Sequence, residues 1–117
     1  MLPTVLIVDD HAGYRIAARA LLEAEGFEVV GESPSGEDAL EQIERLQPAL
    51  LLLDIGLPGI DGIEVAVRLA ARENPPVVVL TSSRDGVGCE SIFRSCGARG
   101  FIPKAELSGD AITALAA

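Results

Sequence analysis

The sequence predicts a three-layer α/β/α domain of (βα)₅ type, with five parallel strands in one doubly wound sheet. Two observations carry this prediction. Short apolar runs at residues 4–8, 27–31, 49–53, 77–80 and 100–103 alternate with segments whose apolar residues recur at helical spacing. The first, third and fourth runs are continuously apolar, as strands covered on both faces should be, whereas Glu28 in the second and Arg99 and Pro103 at the fifth suit edges. Strands that alternate with helices run parallel, because each helix returns the chain over the sheet, and such crossovers are right-handed in nearly all cases. The order 2-1-3-4-5 meets these conditions and puts any ligand beyond the carboxyl ends of the strands.

Each element has its own signal. After strand Thr4–Val8, the residues Ala17, Ala18, Leu21 and Leu22 form the inner stripe of a helix over 12–25, and Gly26 suits the left-handed position that ends it. Phe27–Gly31 is the second strand. Ser35 and Asp38 make a capping-box-like start for a helix that turns Ala39, Leu40, Ile43 and Leu46 inward, and Pro48 stops it. After strand Ala49–Leu53, Asp61 with Glu64 caps a third helix reaching Arg72, which Asn74-Pro75-Pro76 terminates. Strand Val77–Leu80 follows. Asp85 caps a fourth helix ending before Gly97, and Ser108 caps a fifth, with Leu107 and Ile112 placed as a hydrophobic staple.

At 117 residues and 49% hydrophobic content, the chain is one domain able to bury a core without disulfide or metal staples. No apolar run approaches the roughly 18 residues of a membrane span, and Met1–Thr4 lacks the features of a signal peptide, which points to the cytoplasm and away from membranes. With 18 acidic and 9 basic residues the net charge is −9, so this segment should repel a phosphate backbone and bind no nucleic acid directly. Cys89 and Cys96, seven residues apart on a helix, are separated by roughly 10 Å, beyond the roughly 7 Å limit for a disulfide. They share a face with Ile92 and Phe93 and read as small core residues.

Polar residues sit where the apolar runs end: Asp9 and Asp10, Asp54, Thr81 with Ser82 and Ser83, and Lys104. In a parallel sheet they gather at one edge. One acid would suffice to cap the first helix; an adjacent pair near a third suits a hard cation such as Mg²⁺, with Mn²⁺ as the alternative. Asp54, in mid-sheet, would bear repulsion from Asp9 and Asp10, and this is explained if it acts as a nucleophile toward phosphorus while Lys104 holds a phosphoryl oxygen. Thr81 could hydrogen-bond another. His11 reads as a first-turn helix residue, because neutral imidazole adds little to a carboxylate site for Mg²⁺.

Val8-Asp9-Asp10-His11, the stretch Leu53–Gly62, Leu80-Thr81-Ser82 and the stretch Gly97–Lys104 together resemble the receiver domain of bacterial two-component response regulators, most closely the NarL/FixJ type. The resemblance covers essentially the whole chain. It implies a flavodoxin-like sheet and phosphorylation of Asp54 by a sensor histidine kinase. It also implies Mg²⁺ held by Asp9, Asp10, Asp54 and the backbone carbonyl of Gly56, with Thr81 and Lys104 on the phosphoryl oxygens. Phe101 matches the aromatic switch position, and the fourth helix, fifth strand and fifth helix would form the face that partners read, as a homodimer or toward a C-terminal helix-turn-helix output domain for transcription. Gly56 and Ser83 would tune the pocket. Departures are Pro103 before Lys104 and Ala105 after it, where many relatives have Lys-Pro, and the small Gly56.

Three other readings compete. An FMN-binding electron carrier on the same fold needs a Ser/Thr/Gly-rich phosphate loop after the first strand, where Asp9-Asp10-His11 would repel the phosphate. An aspartyl-phosphate phosphohydrolase needs two acids separated by one residue, and Asp9 and Asp10 are adjacent. A receiver-like interaction module that is never phosphorylated would not need the complete acidic pocket.

Overall fold

Side chains of a strand alternate between its two faces, so a continuously apolar strand feeds two cores. In the computed structural model, which describes residues 3–83 and 95–116, strand β1 (Thr4–Val8) does this. Leu6 and Val8 pack on one face, and Val5 and Ile7 pack on the other. The remaining strands are β2 (Glu28–Ser33), β3 (Leu50–Asp54), β4 (Val77–Ser82) and β5 (Gly100–Pro103). All neighbours are parallel and the order is β2-β1-β3-β4-β5, with the predicted edges at the edges.

Helices α1 (Ala12–Ala24), α2 (Gly36–Leu46) and α3 (Gly62–Ala70) and a C-terminal helix (Gly109–Ala116) complete the layers. Ala39 and Ile43 of α2 and Val65, Ala66 and Leu69 of α3 close one core; Ala18 and Leu22 of α1 and Ile112 of the C-terminal helix close the other. Cys96 belongs to the first core at 3% exposure. The predicted fourth helix from Asp85, with Cys89, Ile92 and Phe93, lies outside the described residues. Among the described residues no helix is long and apolar enough to cross a membrane.

The capping signals hold with local changes. Gly26 takes φ +94° after α1, and Ser108 Oγ accepts from Ala111 N at 3.0 Å. Asp61 accepts from Glu64 N at 2.9 Å, but Glu64 pairs with Arg68 at 3.0 Å instead of reaching back. Ser35 likewise accepts from Asp38 N at 3.2 Å. The capping box is only half formed, because the Asp38 carboxylate accepts from Ser33 Oγ and Gln42 Nε2, each at 2.7 Å, and so ties the end of β2 to α2. Strand β2 continues beyond Gly31, with Glu32 and Ser33 opposite Ile7 and Val8. Helix α3 ends at Ala70 instead of Arg72, whose N–H closes a turn onto Leu69 O at 3.0 Å.

Candidate functional site

The carboxyl ends of β1, β3 and β5 bring Asp9, Asp10, Asp54 and Lys104 together, and the end of β4 sets Thr81 beside Asp54. Strand pairing sets Asp54 directly opposite Thr81, and Ile55 N donates to Thr81 O at 3.0 Å, so the loop leaving β3 is pinned to β4. Oxygen atoms of Asp9, Asp10 and Asp54 and a ring nitrogen of His11 lie within 4.8 Å of one another. Lys104, the only lysine in the sequence, brings its ammonium 2.6 Å from Asp9 Oδ2 and 3.5 Å from Asp54 Oδ2. It opens a 3₁₀ turn, Lys104–Glu106, directly after β5.

Asp9 is buried and Asp10 exposed. Oδ1 of Asp9 accepts from His11 N at 2.8 Å and lies 3.1 Å from His11 Nδ1, which is also 3.1 Å from Asp10 Oδ1. His11 stands just before α1, at its N-cap and in extended conformation instead of inside the first turn, and its ring nitrogen groups with the acids. Oδ2 of Asp9 is buried and has no hydrogen bond of sound geometry, although the Lys104 ammonium is close. The short distance makes this a real ion pair, and the poor direction leaves a lone pair open. Such an oxygen, beside two further carboxylates, fits a hard divalent cation.

Asp54 is 4% exposed. Its Oδ1 accepts from Gly56 N at 3.2 Å. Burial is the largest cause pushing its pKa above the ordinary carboxylate range, the charge of Asp9 adds to it, the Gly56 N–H and Lys104 pull back, and Asp10 raises it slightly. Because the folded value exceeds the unfolded one, the stabilisation from protonated Asp54 is full below the unfolded value and is lost as pH rises through the folded value. At neutral pH the ionised group is a net cost. Asp54→Ala should therefore raise the melting temperature of the metal-free protein by a few degrees at neutral pH, on the order of 1 kcal/mol, with a smaller gain in acid. A lower melting temperature at neutral pH would show that the contacts to Gly56 and Lys104 outweigh burial.

Phe101 stands opposite Leu80 and packs against the α2/α3 core, outside the acid cluster. Gly56 is exposed, and a Cβ there would meet only Asp54 Oδ1, at 4.0 Å. Ser83 is an exposed bend residue just past β4. Two contributors lie on α1, where sequence reasoning saw only a helix. Arg15 donates to Asp9 O at 2.6 Å while pairing with Glu32 at 3.3 Å, which fixes the end of β1. Tyr14 lies with its ring centroid 4.7 Å from Lys104 Nζ. Desolvation first, then the charges of Asp9 and Asp54, push its phenol up to about 12.

A doubly wound sheet whose strand ends collect three carboxylates and a lysine defines a class of small α/β signalling domain. The chain belongs to the response regulator receiver domain family, whose model matches residues 5–116. It is 43% identical over 111 residues to BvgA of Bordetella pertussis, covering 94% of this chain and 53% of that one. To the transcriptional regulatory protein PdtaR of Mycobacterium tuberculosis it is 37% identical over 113 residues, covering 95% and 54%. The NarL signal receiver domain from Mycobacterium tuberculosis superposes with a TM-score of 0.85 at 33% identity, covering 97% of this chain and 96% of that one. The chain spans about half the length of the curated relatives it matches.

Proposed function

We propose that this receiver domain accepts a phosphoryl group on Asp54 from a sensor histidine kinase and passes the change to an output partner. The observation that carries the reading is the setting of Asp54: buried at the end of a central strand, grouped with Asp9 and Asp10, and 3.5 Å from the only lysine. In the transfer, an Asp54 carboxylate oxygen forms the new P–O bond as the P–N bond of a phosphohistidine breaks, and the departing imidazole takes up a proton from solvent. Asp9, Asp10, Asp54 and the Gly56 carbonyl would hold Mg²⁺, which would supply positive charge against the incoming phosphoryl oxygens. Lys104 neutralises a further oxygen, and the Thr81 hydroxyl hydrogen-bonds another.

The domain is a phosphoacceptor and not a turnover enzyme. Once charged, Thr81 moves toward the phosphoryl group and Phe101 turns inward, which alters the surface formed by β5 and the C-terminal helix. A bias of a few kcal/mol toward a pre-existing conformation suffices to favour a homodimer or release an attached helix-turn-helix domain that regulates transcription. Gly56 and Ser83 set how easily water reaches the phosphoryl group. Two-component relays of this kind operate in the cytoplasm.

Hydrogen exchange with and without beryllofluoride and Mg²⁺ tests this reading. Wild type should change protection over residues 100–107, and Asp54→Ala should not respond. Changes confined to residues 36–47 would send the signal out by another face, and no change at all would favour an interaction module that is not phosphorylated.

A further inference from the structure

We propose that Tyr14 is a positioning residue of this pocket, its ring face holding the Lys104 ammonium where a phosphoryl group on Asp54 would meet it. The inference rests on Asp54 being the phosphoacceptor.

A lysine head is a compact charge on a flexible four-carbon stem, and it finds a productive position only when something restrains it. Here the ammonium lies 2.6 Å from Asp9 Oδ2, 3.5 Å from Asp54 Oδ2 and 4.7 Å from the Tyr14 ring centroid. The two carboxylates cannot restrain it throughout the reaction, because both are called on to ligate the cation and one to carry the phosphoryl group. The aromatic face has no such competing role. It attracts the ammonium through its quadrupole and is not consumed by metal or phosphate.

Tyr14 is itself well fixed for this task. It sits in the first turn of α1, which starts just beyond Asp9 and Asp10, and its flank packs against the core shared by α1 and the C-terminal helix. Arg15, the next residue, is bound to Asp9 O at 2.6 Å, so this turn is tied to the strand end that supplies the acids. The phenol oxygen is buried and without a hydrogen-bond partner among the described residues. Hydrogen bonding by the phenol oxygen does not account for the residue here, whereas the ring contact to Lys104 accounts for an aromatic side chain.

Tyr14 and Lys104 are the only tyrosine and the only lysine in the sequence, which makes the contact directly observable. In protein made with labelled lysine, the Lys104 ε-methylene signal should be shifted upfield by the ring in wild type and Tyr14→Phe. It should return to an ordinary position in Tyr14→Leu and Tyr14→Met. With a phosphoramidate donor and Mg²⁺, Tyr14→Phe should be modified at the wild-type rate and the Leu and Met variants about fivefold to tenfold more slowly. Mg²⁺ affinity, measured by calorimetry, should be unchanged in all of them.

Wild-type rates in the Leu and Met variants would overturn the proposal, as would a Phe variant as slow as Leu, which would assign the effect to the hydroxyl. Loss of Mg²⁺ affinity together with rate would reduce Tyr14 to a structural role. Failure of wild type itself to accept a phosphoryl group would remove the phosphoacceptor reading and this inference with it, whereas modified wild type with indifferent variants would remove only the inference.

Discussion

Replacing Lys104 with alanine is expected to slow phosphorylation of Asp54 on the order of a hundredfold while Mg²⁺ binding holds or tightens. The first effect follows from removing a preorganised cation from a pocket where charge builds up on phosphoryl oxygens. The Lys104 side chain is only 14% exposed, so water cannot easily stand in for it. The second effect follows from competition, because the ammonium now lies 2.6 Å from an oxygen of Asp9 that a cation would use. An ammonium donates and cannot ligate, so its loss takes nothing from the carboxylates that would hold the metal. Single-turnover labelling and calorimetry on the same protein separate the two. Loss of Mg²⁺ binding with unchanged phosphorylation would reverse the assignment.

Gly62→Ala is expected to destabilise the fold by about 1–3 kcal/mol and to weaken Mg²⁺ binding at the same time. A Cβ on Gly62 would lie 2.9 Å from the carbonyl carbon of Asp54 and from Ile55 Cα, and closer still to Asp54 O. These are backbone atoms and cannot swing aside. Gly62 N also donates to Ile55 O at 3.0 Å, so the start of α3 and the loop after Asp54 move together. Gly13→Ala is the contrasting case: a Cβ there meets nothing within 4 Å, and the change should stabilise α1 by about 0.5–1 kcal/mol. Chemical denaturation of the two variants beside wild type checks both signs. A neutral Gly62→Ala would mean the loop has slack.

The sheet was legible because burial on both faces leaves a plain trace. Leu50 to Leu53 is uniformly apolar and becomes the fully buried body of β3, and Asp54 interrupts the run where the pocket begins. The acid cluster followed from parallel topology alone, since all strands then end at one edge. Apolar pattern failed at the sheet margin, where Glu32 and Ser33 pair with β1 while their side chains serve Arg15, Arg19 and Asp38. It also missed Tyr14 and Arg15. The Tyr14 contact joins residues at opposite ends of the chain, so no local spacing announces it. The Arg15 head folds back onto the carbonyl of Asp9, whereas a helical arginine in sequence reads as a solvated charge. No apolar pattern marks Gly62, and only packing reveals that its missing side chain makes room for the backbone that carries Asp54.

The central claim, that Asp54 takes a phosphoryl group in a metal-dependent way, is tested most directly by intact-mass measurement after incubation with a small phosphodonor. Wild type with Mg²⁺ should gain the mass of one phosphoryl group, and neither wild type in EDTA nor Asp54→Ala with Mg²⁺ should gain any. A phosphoryl adduct on the Asp54→Ala protein, or full modification of wild type in EDTA, would contradict the account.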